Sequence, residues 1–151
     1  MLDDTDRRLL IALQRDAHLT ALELGEALNL SPSQAGRRRQ RLEAEKILVG
    51  SHAQIDPNAV GLGVQAFVQV QMATHSSDAA VSFARLVSAT PAITAAFTLT
   101  GEADYLLRVW CRDLAGLHQL IHGLLLPHPV VARVQSQIVM DQMKADSPLP
   151  L

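Results

Sequence analysis

Four arginines fall within five residues, Arg37, Arg38, Arg39 and Arg41, and no acid interrupts them. Ser31, Ser33, Gln34 and Gln40 lie beside them in the sequence. These side chains share one kind of chemistry. Arg and Gln can each make two hydrogen bonds to the edge of a base, and Ser can reach a base or a phosphate. Taken alone, a charge run describes a solvated helix face as well as it describes a binding surface. The residues around this one weigh towards nucleic acid.

Such chemistry needs a rigid rod to carry it. Ser31 is a good N-cap, and Pro32 suits the first helical position, where its missing N–H costs nothing. A helix over residues 32–46 follows. On it Ala35 and Leu42 are seven apart and share the inner face, with Leu42 as the apolar anchor. Ser33, Gln34, Arg37, Gln40 and Arg41 fall towards the opposite side, and Arg37 and Arg41 are expected to face outward. A short helix over residues 21–28 and the turn Asn29-Leu30-Ser31 come before it. This is the helix-turn-helix layout, whose second helix lies in the DNA major groove. The candidate DNA contacts are Ser31, Ser33, Gln34, Arg37, Arg38, Gln40 and Arg41. An amphipathic helix over residues 2–15 opens the chain. Leu9, Leu10 and Leu13 form its stripe, and Asp3, Asp6 and Arg7 decorate its first turns, where acids suit the positive end of the helix dipole.

Composition limits the partners. The chain has 151 residues, 48% of them hydrophobic and 19% charged, enough apolar material for one large domain or two small ones. Net charge is −2, so any DNA affinity must come from a local patch. The single cysteine, Cys111, has no internal disulfide partner and fits a reducing, cytoplasmic setting. Charged residues crowd the start, which is unlike a signal peptide, and no apolar run is long enough to span a bilayer, so no membrane partner is expected.

Residues 47–55 are short, β-prone and partly alternating, and are expected to form a strand or wing that joins two domains. Asp56-Pro57-Asn58, Gly61 and Gly63 break the pattern. The expected division is 1–50 for the helix-turn-helix, 51–63 for the linking strand and connector, and 64–151 for a second domain. From Val64 the period changes to two. Val64, Ala66, Val68, Val70 and Met72 alternate with Gln65, Phe67, Gln69 and Gln71, as in a strand with one face on a core. A helix with Val81, Phe83, Ala84, Leu86 and Val87 follows, then strands over 93–100 and 105–111. A helix with Leu114, Leu117, Leu120, Ile121 and Leu124 comes next, then a strand over 130–140 and a loose tail. The order is βαββαβ, a ferredoxin-like α+β arrangement with both helices on one sheet face. The other face is left bare and asks for a second copy of the chain.

The segments LDDTDRRLLIALQRDAHLTALELGEALNLSPS, RRRQRLEAEKI and TGEADYLL, in that order and spacing, resemble the Lrp/AsnC family of transcriptional regulators. The resemblance runs nearly the whole length. It implies a winged or plain helix-turn-helix domain, a linking strand and an ACT-like ligand domain. It also implies dimers built through the sheets, often assembled to octamers, with an amino acid as effector. By position it places the effector pocket at Thr100, Gly101, Asp104 and Tyr105, with Ser136 and Gln137 from a neighbouring subunit. The residues present suit that role. Asp104 could pair an ammonium, and the Gly101 turn could bring backbone N–H groups to a carboxylate. The plainer reading is a hairpin turn with Asp104 bonding its own backbone. Two positions depart from the family: Arg39 stands where an apolar residue is usual, its head free to reach a phosphate, and Lys46 replaces a glycine at the helix end.

Other constellations carry less. His118, His122 and His128 could suggest a metal, but no cysteine or carboxylate completes a set, so they read as surface histidines with no metal expected. No cofactor is expected either. Trp110 reads as core or dimer interface. The competing class is an enzyme like the siroheme decarboxylases of haem biosynthesis, which also resemble Lrp/AsnC proteins. Such an enzyme needs cations in the second half. That half holds only Arg85, Arg108, Arg112, Arg133 and Lys144 against six acids, so a regulator is the preferred reading.

Overall fold

A computed structural model describes residues 2–151. The chain divides into two compact units. The first runs to Gln54 and takes in Met143–Leu151; the second is Ile55–Gln142.

Three helices build the first unit: α1 (Asp4–Arg15), α2 (Ala21–Leu28) and α3 (Pro32–Ala44). Each starts with a capping box, Asp3 with Asp6, Thr20 with Glu23, and Ser31 with Gln34. In each pair the cap accepts the backbone N–H three residues on, and the later side chain accepts the N–H of the cap. Each box thereby meets two of the backbone donors at its helix start, that of the cap and that of the third helical residue. Leu9, Leu10, Leu13, Leu24, Leu28, Ala35 and Leu42 form the core. The α2–α3 turn is tight because Gly25 has no side chain: a Cβ there would lie 2.7 Å from the Leu30 carbonyl oxygen. Asn29 closes α2 in the left-handed conformation. Lys46 is also left-handed, with φ 55°. The end of the chain packs on this unit rather than lying loose. Leu149 donates its N–H to Gln14 Oε1 at 2.6 Å and accepts from Gln14 Nε2 at 3.3 Å.

The second unit is the expected βαββαβ fold. Its elements are β1 (Val64–Met72), α4 (Ser77–Ser88), β2 (Ile93–Thr98), β3 (Tyr105–Cys111), α5 (Leu114–His118) and β4 (Val131–Ile138). A single 3₁₀ turn, Asn58–Val60, precedes β1. The sheet is antiparallel in the order β2-β3-β1-β4. Alternation along β1 does what the period of two demands. Ala66, Val68, Val70 and Met72 are buried with Leu107, Val109 and Cys111 of β3 against Phe83, Leu117, Leu120 and Leu125. The opposite face carries Gln65, Phe67, Gln69 and Gln71, flanked by Trp110, Arg108 and Leu106 of β3 and by Gln137, Gln135 and Arg133 of β4. No helix of the second unit covers it. Past α5 the helix continues as a π-helical turn, Gln119–Leu125, in which Leu126 N–H bonds back five residues to Ile121. Val81 and Leu114, expected on the apolar helix faces, are exposed.

One expected element is absent. Residues 47–55 form no strand, and Val49 and Ile55 are exposed. A strand needs a neighbour for its backbone donors and acceptors, and no strand of this chain pairs with that stretch. The chain therefore has a helix-turn-helix without a wing.

Candidate functional site

The outer surface of α3 is the first candidate. At about 100° per residue, Arg37 stands about 140° round the helix from Leu42, Arg41 about 100° and Arg38 about 40°. Ser33, Gln34, Arg37, Gln40 and Arg41 are exposed, as expected, while Arg38 is partly covered. The basic run is not free of acids in space. Asp6 is fully buried and accepts from two of its arginines. Arg38 Nη1 lies 2.8 Å from Asp6 Oδ1 and 2.7 Å from Asp3 Oδ2, and Arg41 Nη2 lies 2.5 Å from Asp6 Oδ2. Asp6 thus corrects the surface role expected of it on α1.

The electrostatics of the cluster follow. Burial alone would push the Asp6 carboxyl up; the hydrogen bonds from Arg41, Arg38 and the Asp3 backbone outweigh it and hold the group at about 2, from an ordinary 3.8. Asp3 is lowered chiefly by its hydrogen bond from Arg38. Arg38 and Arg41 are in turn raised by their carboxylate partners.

The other α3 side chains sort themselves. Arg39 does not reach outward to a phosphate; it bonds Glu43 at 3.0 Å and the Leu19 carbonyl at 3.1 Å. Gln34 Oε1 serves the Ser31 cap, which leaves its amide nitrogen as the outward donor. Arg37 bonds only along its own helix, to the Ser33 carbonyl at 3.4 Å and Ser33 Oγ at 3.1 Å.

The second candidate is the turn between β2 and β3. Gly101 has φ +111°, a conformation that side chains disfavour, with open space around it. Asp104 does not bond its own backbone. Its carboxylate accepts the Met72 N–H at 2.7 Å and stands 3.4 Å from His75 Nδ1, tying the turn to the end of β1. Tyr105 stacks on Phe83, with ring centroids 4.8 Å apart, on the helix side of the sheet. Thr100 is exposed in the turn. Ser136 pairs with Val68 and Gln137 with Phe67, so the two alternate between opposite faces. Within one chain, neither joins the turn. Asp104 and Tyr105 do share a hollow of about 190 Å³ on the helix side, with Met72, Thr74, His75 and Thr98. A smaller depression of about 40 Å³ lies beside the turn, lined by Gln69, Gln71, Glu102, Ala103, Arg133 and Gln135. Those residues were missed by sequence reasoning. The register Gln71↔Arg133 and Gln69↔Gln135 is what gathers them, and pairing of β1 with β4 is not written in either strand alone. His118 and His122 stack at 4.5 Å, and among the described residues no group of three or more potential metal ligands gathers.

Comparison with known proteins places this architecture. The AsnC-type helix-turn-helix model matches residues 2–43, and the Lrp/AsnC ligand binding domain model matches residues 65–149. The chain belongs to the Lrp/AsnC family. This Lrp/AsnC protein is 36% identical to the DNA-binding transcriptional activator DecR of Escherichia coli over 151 residues, covering 100% of this chain and 99% of that one. It is 32% identical to the glutamate uptake regulatory protein of Zymomonas mobilis, covering 99% and 91%. A Neisseria meningitidis transcriptional regulator, solved as a complex with L-Met, superimposes with a TM-score of 0.94 at 37% identity, covering 99% and 97%. These relatives are regulators, and so is this Lrp/AsnC chain: a DNA-binding transcriptional regulator, not an enzyme of the siroheme decarboxylase kind. Among its described residues no helix is long and apolar enough to cross a membrane.

Proposed function

We propose that this regulator reads double-stranded operator DNA through Ser31, Ser33, Gln34, Arg37, Arg38, Gln40 and Arg41, and that an amino acid tunes the binding. The observation that carries the reading is the exposed, capped basic face of α3, the second helix of a helix-turn-helix, the element that lies in the major groove. The effector reading rests on Thr100, Gly101, Asp104 and Tyr105, with Ser136 and Gln137 from a neighbouring subunit. Two observations support it. Asp104 and Tyr105 line one hollow of about 190 Å³ with His75 and Thr98, while Thr100, Gly101, Ser136 and Gln137 line neither it nor the smaller depression, so a site that uses all six needs a second copy. The Neisseria meningitidis relative is an L-Met complex. The uncovered sheet face, with Phe67, Leu106 and Trp110 among glutamines, supports a homodimer; assembly of that dimer to an octamer is proposed on the family resemblance alone. The chain works in the cytoplasm, where Cys111 stays reduced.

The test joins three measurements. Thermal shift against the twenty amino acids finds the effector, because a ligand at a hundredfold excess over Kd stabilises the fold by about 2.7 kcal/mol. Gel shifts of operator with and without it give the coupling, expected at roughly 5–150-fold. Light scattering gives the assembly. No amino acid that stabilises the protein, or a monomer at micromolar concentration, overturns the corresponding part.

A further inference from the structure

The arginines of α3 are not equivalent, and the difference comes from α1. Arg38 and Arg41 are each anchored to the buried carboxylate of Asp6. Arg38 also holds Asp3. A guanidinium gripped by a carboxylate has its direction fixed and one edge occupied. It still has N–H groups to spare for a phosphate oxygen, which demands charge and position but no base identity. Reading guanine is different. It requires a free planar fork aimed along the base edge at O6 and N7. Arg37 comes nearest to that requirement of the four, because among the described residues no carboxylate holds it. Its Nε and Nη2 bond only the neutral Ser33 carbonyl and Oγ, at 3.4 and 3.1 Å on the exposed helix surface, contacts that a base edge can replace, and it stands farthest round from the packed face. Gln40 is exposed on the same side.

We propose that Asp6 is a positioning residue that divides the recognition helix in two, fixing Arg38 and Arg41 as a sequence-blind phosphate clamp and leaving Arg37, with Gln40, to determine operator specificity. This deepens, and rests on, the reading of α3 as the DNA face. The charges agree with the assignment. Arg38, Arg41, Asp3 and Asp6 sum to zero, so the clamp orients DNA more than it attracts it, whereas Arg37 brings an unbalanced positive charge.

The test uses the full-length protein and two duplexes. One is enriched from a random library by the wild type; the other is a scramble of the same composition. Both dissociation constants are measured at several salt concentrations for wild type, Arg37→Ala, Arg38→Ala, Arg41→Ala and Asp6→Asn. Arg37→Ala is expected to weaken the enriched duplex by roughly 5–150-fold, the span of one bidentate base contact, and to affect the scramble far less. The specificity ratio then collapses. Arg38→Ala and Arg41→Ala weaken both duplexes by one common factor and leave the ratio intact. Asp6→Asn loosens the clamp while adding net positive charge, so it lowers the ratio and steepens the salt dependence of the scramble. A variant that merely damaged the fold would lose both duplexes together without steepening. If Asp6→Asn does not fold, the three arginine variants still decide. A collapsed ratio in Arg38→Ala or Arg41→Ala with an intact one in Arg37→Ala overturns the division. Unchanged binding of both duplexes in all three overturns the α3 reading itself, and the division with it.

Discussion

Protonating Asp6 should unpick the first unit in acid, and the size of the effect can be worked out. A carboxylate whose folded pKa lies below its unfolded value stabilises the fold above the unfolded value. It loses that contribution as pH falls through the folded one. For Asp6 those values are 3.8 and about 2, so the window runs from about pH 4 down to about pH 2. The displacement corresponds to roughly 2–3 kcal/mol at about 1.36 kcal/mol per pH unit. Asp6 itself is fully buried, but Arg38 and Arg41 keep side-chain exposures of 30% and 42%, and solvent screening brings the working figure to about 2 kcal/mol. Asp6→Asn removes the charge at every pH. Urea unfolding of wild type and Asp6→Asn at pH 6 should differ by about that amount, since the displacement already contains the hydrogen bonds from Arg41, Arg38 and the Asp3 backbone. At pH 3 the charge-dependent part should fall by about half. The carboxylates outside the cluster titrate in both proteins and cancel in the difference, and Asp3, which shares Arg38 with Asp6, is held constant by making the comparison in an Asp3→Asn background as well. Trp110, the single tryptophan, lies in the second unit, so its fluorescence reports that unit alone. The transition seen by circular dichroism but not by fluorescence is the one to follow. A gap of the same size at pH 3 and pH 6 would show that the Asp6 charge contributes nothing, and the reasoning fails.

Three further outcomes follow from local geometry. Gly36 sits inside α3 with φ in the ordinary range, and a Cβ there meets only the Ala21 methyl at 3.7 Å, so Gly36→Ala should raise the stability of the first unit by about 0.5–1 kcal/mol in chemical denaturation. Gly25→Ala should do the reverse and lower the melting temperature, since its Cβ collides with backbone at Leu30; an unchanged melt would mean the turn opens freely. Asp104→Ala leaves the half-buried Met72 N–H without its acceptor and should cost the second unit about 1–3 kcal/mol by Trp110 fluorescence, with Asp104→Asn recovering most of it.

Much of this was legible in the sequence because it is local. The Ser31 cap with Pro32, the stripe of Leu9, Leu10 and Leu13, and the alternation from Val64 to Met72 each depend on neighbours a few residues away. Three failures had nonlocal causes. Asp6 was read as a surface acid on the strength of its charge alone. Its position, three and four residues before Leu9 and Leu10 and seven before Leu13, puts it in the apolar stripe, and that spacing was the available signal. Its partners, 32 and 35 residues later, could not be read from α1. Residues 47–55 have a strand pattern but no strand to pair with, and pattern alone does not supply one. The placement of Ser136 and Gln137 on opposite faces follows from strand alternation, whereas the Arg133 and Gln135 hollow needed the β1–β4 register. The αL geometry at Lys46 is one that lysine adopts at a cost, and nothing in the residue type announces it.

The buried carboxylate also bears on how such a helix can evolve. Substitution at Asp6, Arg38 or Arg41 disturbs a cluster that spans α1 and α3, so drift there costs stability of the first unit as well as DNA contact. Ser33, Arg37 and Gln40 are exposed, and the bonds that Ser33 and Arg37 make stay within α3. Exposed changes of that kind usually shift stability by no more than about 0.5 kcal/mol either way. A duplicated copy of this gene could therefore explore new binding sites at those three positions, one substitution at a time, while selection for a folded protein holds the rest of the helix still.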